Sequence, residues 1–109
     1  MRVVSLGKIA VPTPGTAVRV STDATLLAAR LRFEAVVGET GRTFLGVQGM
    51  NKNTGAGVVK EFWPTGAGGG VADSFEIESG DGTNCLWPGA YYVDANTANE
   101  GVIVSYWVR

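Results

Sequence analysis

Apolar and polar residues alternate along much of this chain, and a period of two is typical of strands with one buried face. In residues 30–36 the apolar side chains are predicted to point inward and the charged ones outward. Residues 74–78 repeat this pattern. The other predicted strands are residues 3–11, 17–21, 43–48, 58–63, 91–94 and 101–108. We therefore predict about seven to eight short strands.

Turn-forming residues separate these strands. They fall at residues 38–41, 51–55, 81–84 and 94–100. Glycine and asparagine there can take the positive φ of tight turns. Pro12 and Pro14 must end the first strand, because proline has no N–H to donate to a ladder. Residues 22–29 are the one segment that could hold a helical turn, with Thr22 or Asp23 as its N-cap.

Short strands joined by such turns predict an all-β fold. The architecture expected is one antiparallel β-sandwich or β-barrel, with either jelly-roll or immunoglobulin-like wiring. Both wirings share the same local signals, so strand order stays open at this point. Residues 1–109 are expected to form a single domain, in which residues 1–14 are either an N-terminal arm or the first strand.

Composition and charge exclude several classes of function. Lys and Arg total 9 against 10 Asp and Glu, which gives a net charge of −1. Nucleic-acid binding, which needs a basic patch, is therefore not expected. No apolar run approaches the ~20 residues that span a bilayer, and no signal-peptide core is evident. We expect a soluble chain made in the cytoplasm, with no membrane partner. A charge near zero favours self-association.

The residue types argue against catalysis. Histidine is absent and cysteine occurs once, so neither a Ser-His-Asp triad nor an ordinary zinc or copper site can be assembled. A Ser-Lys dyad with Lys8 or Lys60 is formally open, since Ser5 and Lys8 have the S-x-x-K spacing, but it is not the interpretation that we favour. Glu76 and Glu78 share one face of a predicted strand and could resemble a glycosidase pair. The solvent-facing side of a half-buried strand explains them better, so we predict no enzyme and no cofactor.

Three further features receive ordinary structural interpretations. The glycine-rich residues 66–70 lack the lysine and following helix of a phosphate-binding loop and predict a surface loop. Residues 94–100 offer oxygens that suit calcium, at Asp94 and Asn96 among others. They do not continue the calcium-loop pattern, so Asx turns are expected instead. Cys85 is expected to be a small buried hydrophobe.

Aromatic residues are numerous toward the C-terminus. They could form a sugar-binding platform, but aromatic side chains on strands more often belong to a core or a subunit interface. The residues concerned are Trp63, Trp87, Trp107, Tyr91 and Tyr92. Alternation places Tyr106 and Trp107 on opposite faces of the last strand, so one of them is a candidate subunit contact.

Several segments resemble small β-sandwich virion proteins of tailed bacteriophages. They are residues 9–20, 41–46, 92–95 and 101–106. The resemblance implies a capsid decoration (cement) or head-fibre protein, commonly a homotrimer, with no catalytic residues. It also implies synthesis in the host cytoplasm, a place on the outer capsid surface of the virion, and the major capsid protein as partner.

The function predicted is therefore structural. We expect a capsid decoration protein that stabilises the shell by bridging major capsid subunits through buried apolar and aromatic surface. The candidate subunit or capsid contacts are Val3, Val4, Leu6, Trp63 and Trp107. The alternatives are a phage tail or fibre component and a carbohydrate-binding β-sandwich module, for which a glycan would be the ligand.

Overall fold

The computed structural model describes residues 2–64 and 73–109. Within these ranges the chain forms eight strands and one short 3₁₀ helix, and no α-helix. The strands are β1 (Arg2–Val11), β2 (Val18–Arg19), β3 (Arg30–Ala35), β4 (Thr43–Val47), β5 (Val58–Phe62), β6 (Ser74–Glu78), β7 (Tyr91–Ala95) and β8 (Glu100–Val108), and the 3₁₀ helix is Pro88–Ala90. The all-β prediction is confirmed. The described residues contain no helix long and apolar enough to cross a membrane.

The strands form two antiparallel sheets of four strands each. Sheet I has the order β1-β8-β3-β6 and sheet II the order β2-β7-β4-β5. The first strand pairs with the eighth, the second with the seventh, the third with the sixth and the fourth with the fifth. This nested pairing is that of one long hairpin rolled into two layers. It is jelly-roll wiring, and the immunoglobulin-like alternative does not apply.

The core lies between the sheets. On β3, Leu31, Phe33 and Ala35 are buried, as the alternation predicts. Phe75 and Ile77 of β6 are half-buried and pack against this core. The buried core residues of the other strands are Val11, Leu45, Phe62, Val93, Ala95, Val102 and Val104. Burial of this apolar surface, at roughly 25 cal/mol per Å², is the main contribution that holds the two sheets together.

The N-terminal segment is a strand of sheet I. β1 pairs with β8 along its length, from Arg2 opposite Val108 to Val11 opposite Glu100. A β-bulge between Ser5 and Gly7 interrupts the register. Gly7 has a φ of 75°. This left-handed conformation favours glycine, so the bulge position is encoded locally.

The segment between β2 and β3 forms turns, and the helical turn considered for residues 22–29 is not formed. Asp23 Oδ1 accepts hydrogen bonds from the backbone N–H and the hydroxyl of Thr25. Ala28 then pairs with Leu86 in an isolated bridge. Tertiary pairing therefore replaces a helix that the local sequence only weakly favours.

A loop of the chain covers part of the outer face of sheet II. Lys52, in the connection between β4 and β5, donates hydrogen bonds to the Ala95 carbonyl at 2.7 Å and to Asn96 Oδ1 at 3.0 Å. A Cβ on Gly46 would lie 2.5 Å from the backbone carbonyl oxygen of Gly57 and 2.8 Å from Met50 Sδ, both in the same connection. Glycine is needed at this position because the loop lies directly on β4.

Candidate interaction surfaces

The outer face of sheet I carries rows of side chains set by the strand register. One row runs from Val3 through Trp107 and Arg30 to Glu78, one residue from each strand. Val3 is 57% exposed. The Arg30 guanidinium lies over the Trp107 ring, 4.9 Å from its centroid. Tyr106 packs against the core, so Trp107 is the member of that pair that faces outward.

An ion-pair network occupies the rest of this face. Arg30 bonds to Glu76, and its Nε lies 3.3 Å from a carboxylate oxygen of Glu78. Arg32 lies 3.6 Å from Glu76 and 3.8 Å from Glu34. The two carboxylates considered as a glycosidase pair are therefore bound by arginines on a solvent-facing surface. Exposed pairs of this kind contribute little to stability, because water and salt screen them.

Two of the predicted contact residues do not lie on this outer face. Val4 is paired with Tyr106, on the inner side of sheet I, and is half-buried. Leu6, at the bulge, packs against the core. Of the three candidates on β1, only Val3 is thus placed beside Trp107.

Trp63 forms a second exposed site, on the other sheet. It follows β5 directly and is 58% exposed. The Arg42 guanidinium lies over its ring at 3.8 Å, and Arg42 Nη1 donates to Glu61 at 2.8 Å.

The two exposed sites lie at opposite ends of the sandwich. Phe62, which precedes Trp63, pairs with Thr43, which also pairs with Ala95 at the end of β7. Trp63 is therefore at the end where β8 begins. Val3 and Trp107 lie at the end where β1 begins and β8 finishes.

The aromatic residues do not share a face. Tyr91 packs against the core, with its ring centroid 5.6 Å from that of Phe33. Trp87 donates its indole N–H to the Asp23 carbonyl at 3.3 Å. Tyr92 pairs with Arg19 at the edge of sheet II. A single platform of five aromatic rings is not assembled, and Trp63 and Trp107 remain separate sites.

Side-chain oxygens at the end of β7 and the start of β8 accept hydrogen bonds from neighbouring segments of the chain. Asp94 is 2% exposed, and its Oδ1 accepts from the N–H groups of Gly15 at 3.0 Å and Ala95 at 2.7 Å. Glu100 accepts from the N–H groups of Thr40 and Gly41. Burial acts to raise the pKa of Glu100, but these N–H donors outweigh it and lower the pKa.

Possible metal ligands do not cluster in the part of the chain that the structure covers. In residues 2–64 and 73–109, no three or more Cys, Asp or Glu side chains are grouped closely enough to hold a metal ion. The carboxylates near residues 94–100 instead accept hydrogen bonds from backbone N–H groups. The glycine-rich residues 66–70 lie outside the described residues.

Cys85 is exposed, so the prediction that it is buried is wrong. Its neighbour Leu86 packs against the core and pairs with Ala28. Because successive side chains of an extended segment point to opposite sides, Cys85 is directed to solvent. Composition alone could not show this, since the direction is set by the bridge to Ala28.

One small open pocket lies between β3 and the turn after β6. Its volume is about 110 Å³, below the roughly 300–1,000 Å³ of small-molecule sites. The lining residues are Ala29, Arg30, Glu78, Ser79, Gly82 and Arg109. A ligand of sugar size would not be enclosed there.

Glu39 is a buried carboxyl that no sequence pattern singles out. It is 6% exposed, and its Oε2 accepts from Gly101 N–H at 2.9 Å and from Lys8 Nζ at 3.1 Å. Burial raises the pKa of Glu39 above its ordinary value, while Gly101 and Lys8 oppose the shift. The Glu39 carboxyl therefore binds a proton more tightly in the folded chain than in the unfolded chain.

This shift predicts a pH dependence of stability. The contribution of Glu39 is most favourable below pH 4.5, its ordinary pKa, and is lost as pH rises through the raised folded pKa. Glu39→Gln keeps an acceptor for Gly101 but does not titrate. Denaturant unfolding from pH 4 to pH 8 should show the wild type losing stability relative to Glu39→Gln as pH rises. If the wild type instead gained stability relative to Glu39→Gln as pH rises, the ion pair with Lys8 would outweigh the effect of burial on Glu39.

No protein-family model, curated protein or solved structure matches this chain.

Proposed function

We propose that this protein is a non-enzymatic virion structural protein, a capsid decoration protein that stabilises the shell by bridging major capsid subunits. The observation that carries the proposal is a pair of apolar sites at opposite ends of a jelly roll: the exposed Val3 beside the half-buried Trp107, and the exposed Trp63. A bridging protein needs contact surfaces for two neighbours, and these sites provide two. In this proposal the protein binds the outer capsid surface as a homotrimer.

The chemistry of the two sites suits protein contacts. Each combines a tryptophan ring with an arginine stacked on it, Arg30 on Trp107 and Arg42 on Trp63. Tryptophan and arginine are enriched among the residues that dominate binding energy at interfaces. A single contact of this size would be weak, because association costs offset much of the burial. Repetition over a shell would make it strong.

Capsid binding tests this proposal. The wild type is expected to co-sediment with purified shells, and Trp63→Ala and Trp107→Ala are each expected to weaken binding about 30-fold, the effect of losing ~2 kcal/mol at an interface centre. Val37→Ala is the control, because Val37 is 54% exposed but belongs to neither site. Wild-type protein that ignores shells, or tryptophan variants that bind like the control, would refute the proposal.

A carbohydrate-binding module is the second candidate, and the exposed Trp63 ring favours it. Jelly rolls also occur in lectins, so the fold itself does not choose between the two. This alternative expects tryptophan fluorescence to change when glycans are added, and the change to disappear in Trp63→Ala. A tail or fibre component, the remaining alternative, would bind no shells but would appear on the tail in micrographs.

A further inference from the structure

Each of the three tryptophan rings in this chain has an arginine stacked on it. The third stack belongs to neither site described above, and in it the Arg19 guanidinium lies 4.9 Å from the centroid of the Trp87 ring. In the other two stacks the arginine is bound by carboxylates of the chain, which are Glu61 at Arg42 and Glu76 with Glu78 at Arg30. Among the described residues Arg19 forms no such ion pair, so its stack lacks the anion that the other two contain.

Two carboxylates near this stack accept hydrogen bonds from other groups. Asp23, whose backbone carbonyl accepts from Trp87, has a side chain that accepts from the N–H and the hydroxyl of Thr25. Asp94, on the same sheet as Arg19, accepts from two backbone N–H groups. Arg19 is half-buried, and no ion pair neutralises its charge in the part of the chain that the structure covers.

The Arg19 guanidinium is fixed in position. Its Nε donates to the Gly89 carbonyl at 2.7 Å, and its plane lies against the Trp87 ring. The ring is itself held by its bond to the Asp23 carbonyl and by Gly89, since a Cβ on Gly89 would lie 2.7 Å from two ring atoms. Neither Nη atom of Arg19 donates to another described residue. A guanidinium held in this way is preorganised to bind a carboxylate through both Nη atoms.

Apolar and aromatic side chains surround this guanidinium on the outer face of sheet II. Tyr92, which pairs with Arg19, points outward because its neighbours on β7 pack against the core. The isolated bridge described above places Leu27, which is 44% exposed, across from Trp87. Tryptophan, tyrosine and arginine are the residues most enriched among those that dominate interface energies. These four residues form the Arg19 patch.

We propose that the Arg19 patch binds a protein segment in which an Asp or Glu stands next to an apolar residue. The carboxylate accepts a hydrogen bond from each Nη atom of Arg19, and the apolar side chain packs on Leu27 and Trp87. Charge complementarity selects this occupant, because Arg19 is the one tryptophan-stacked arginine without a carboxylate among the described residues. The patch is a third contact, beyond the two of the proposed function, and it does not depend on that function.

Titration of the wild type with two short peptides tests the proposal. Acetyl-Leu-Glu-amide carries the carboxylate and the apolar side chain, and acetyl-Leu-Gln-amide is the matched neutral control. In NMR spectra at constant ionic strength, the Glu peptide is expected to shift the Arg19 Nε–H and Trp87 indole N–H signals saturably and to bind about fivefold more tightly than the Gln peptide. Equal affinities, or no saturable shift, would overturn the proposal. Shifts from glucuronate but not from the Glu peptide would also overturn it, since the ligand would then be an acidic sugar.

Two variants separate the planar guanidinium from its charge. Arg19→Lys keeps the charge but not the two Nη donors, and is expected to bind the Glu peptide about fivefold more weakly, read at the Trp87 indole N–H. Arg42→Lys is the control and should bind like the wild type, because it makes the same change in a stack that already contains a carboxylate. Equal affinities of the two variants would contradict the assignment. If Arg19→Lys does not fold, the peptide comparison on the wild type decides, and neither experiment involves capsids.

Discussion

Replacing Phe33 with alanine is expected to lower the free energy of unfolding by about 4 kcal/mol. Phe33 is fully buried on β3 and contacts the Tyr91 ring of the opposite sheet. The substitution removes one of the two largest fully buried side chains, the other being Phe62, and leaves a cavity that the rigid strands cannot close. Denaturant titration followed by tryptophan fluorescence measures the loss. Since domains are typically stable by about 5–15 kcal/mol, this loss is between about a quarter and four-fifths of the total free energy of unfolding.

The matched control is Phe33→Leu, which keeps most of the volume and is expected to cost less than about 1.5 kcal/mol. A loss below about 1 kcal/mol in Phe33→Ala would mean that the sheets can collapse onto the space. The close two-layer packing described for Phe33 would then be wrong.

Gly101→Ala is expected to be almost as damaging, with a loss of about 3 kcal/mol. Gly101 lies opposite Ala10 in the ladder between β8 and β1. An added Cβ would collide with the carbonyl oxygen of Ile9 and lie 2.7 Å from its carbonyl carbon. Backbone atoms of a paired strand cannot move aside as a flexible side chain would. The hydrogen-bonded pairs between the start of β8 and the end of β1 must therefore separate.

Gly80→Ala is the control for this substitution, because a Cβ there would meet nothing within 4 Å. It should change the midpoint of thermal unfolding by little. Equal effects of Gly80→Ala and Gly101→Ala would show that the close approach of β1 to Gly101 is absent in solution.

The alternation of apolar and charged residues predicted the strands, because the apolar residues are buried and the charged residues between them face solvent. Along β3 every second residue is buried, at Leu31, Phe33 and Ala35, and the sequence shows the same period. The turn containing Asn99 was also predictable, since its φ of 66° suits asparagine. These features depend on neighbours in sequence.

Long-range pairing could not be predicted in the same way. The pairing of Arg2 with Val108 joins residues at the two ends of the chain, and nothing local distinguishes jelly-roll from immunoglobulin-like wiring. The failed prediction for Cys85 has the same origin, because the bridge between Ala28 and Leu86 sets its direction.

The candidate sites were predictable only in part. Alternation indicated that either Tyr106 or Trp107 faces outward. The neighbours of Trp107 are set by the strand register, which only the structure shows. The stacking of Arg42 on Trp63 joins the start of β4 to the end of β5 and has no sequence signal. Individual residues could be proposed from the sequence, but their division into two opposite sites required the structure.

The position of the protein in intact particles tests the central claim most directly. Cryo-electron microscopy of virions should show its density on the outside of the capsid, spanning the boundary between neighbouring major capsid subunits, with Trp63 facing one and Trp107 the other. Density confined to the tail, or particles that lack the protein, would contradict the claim.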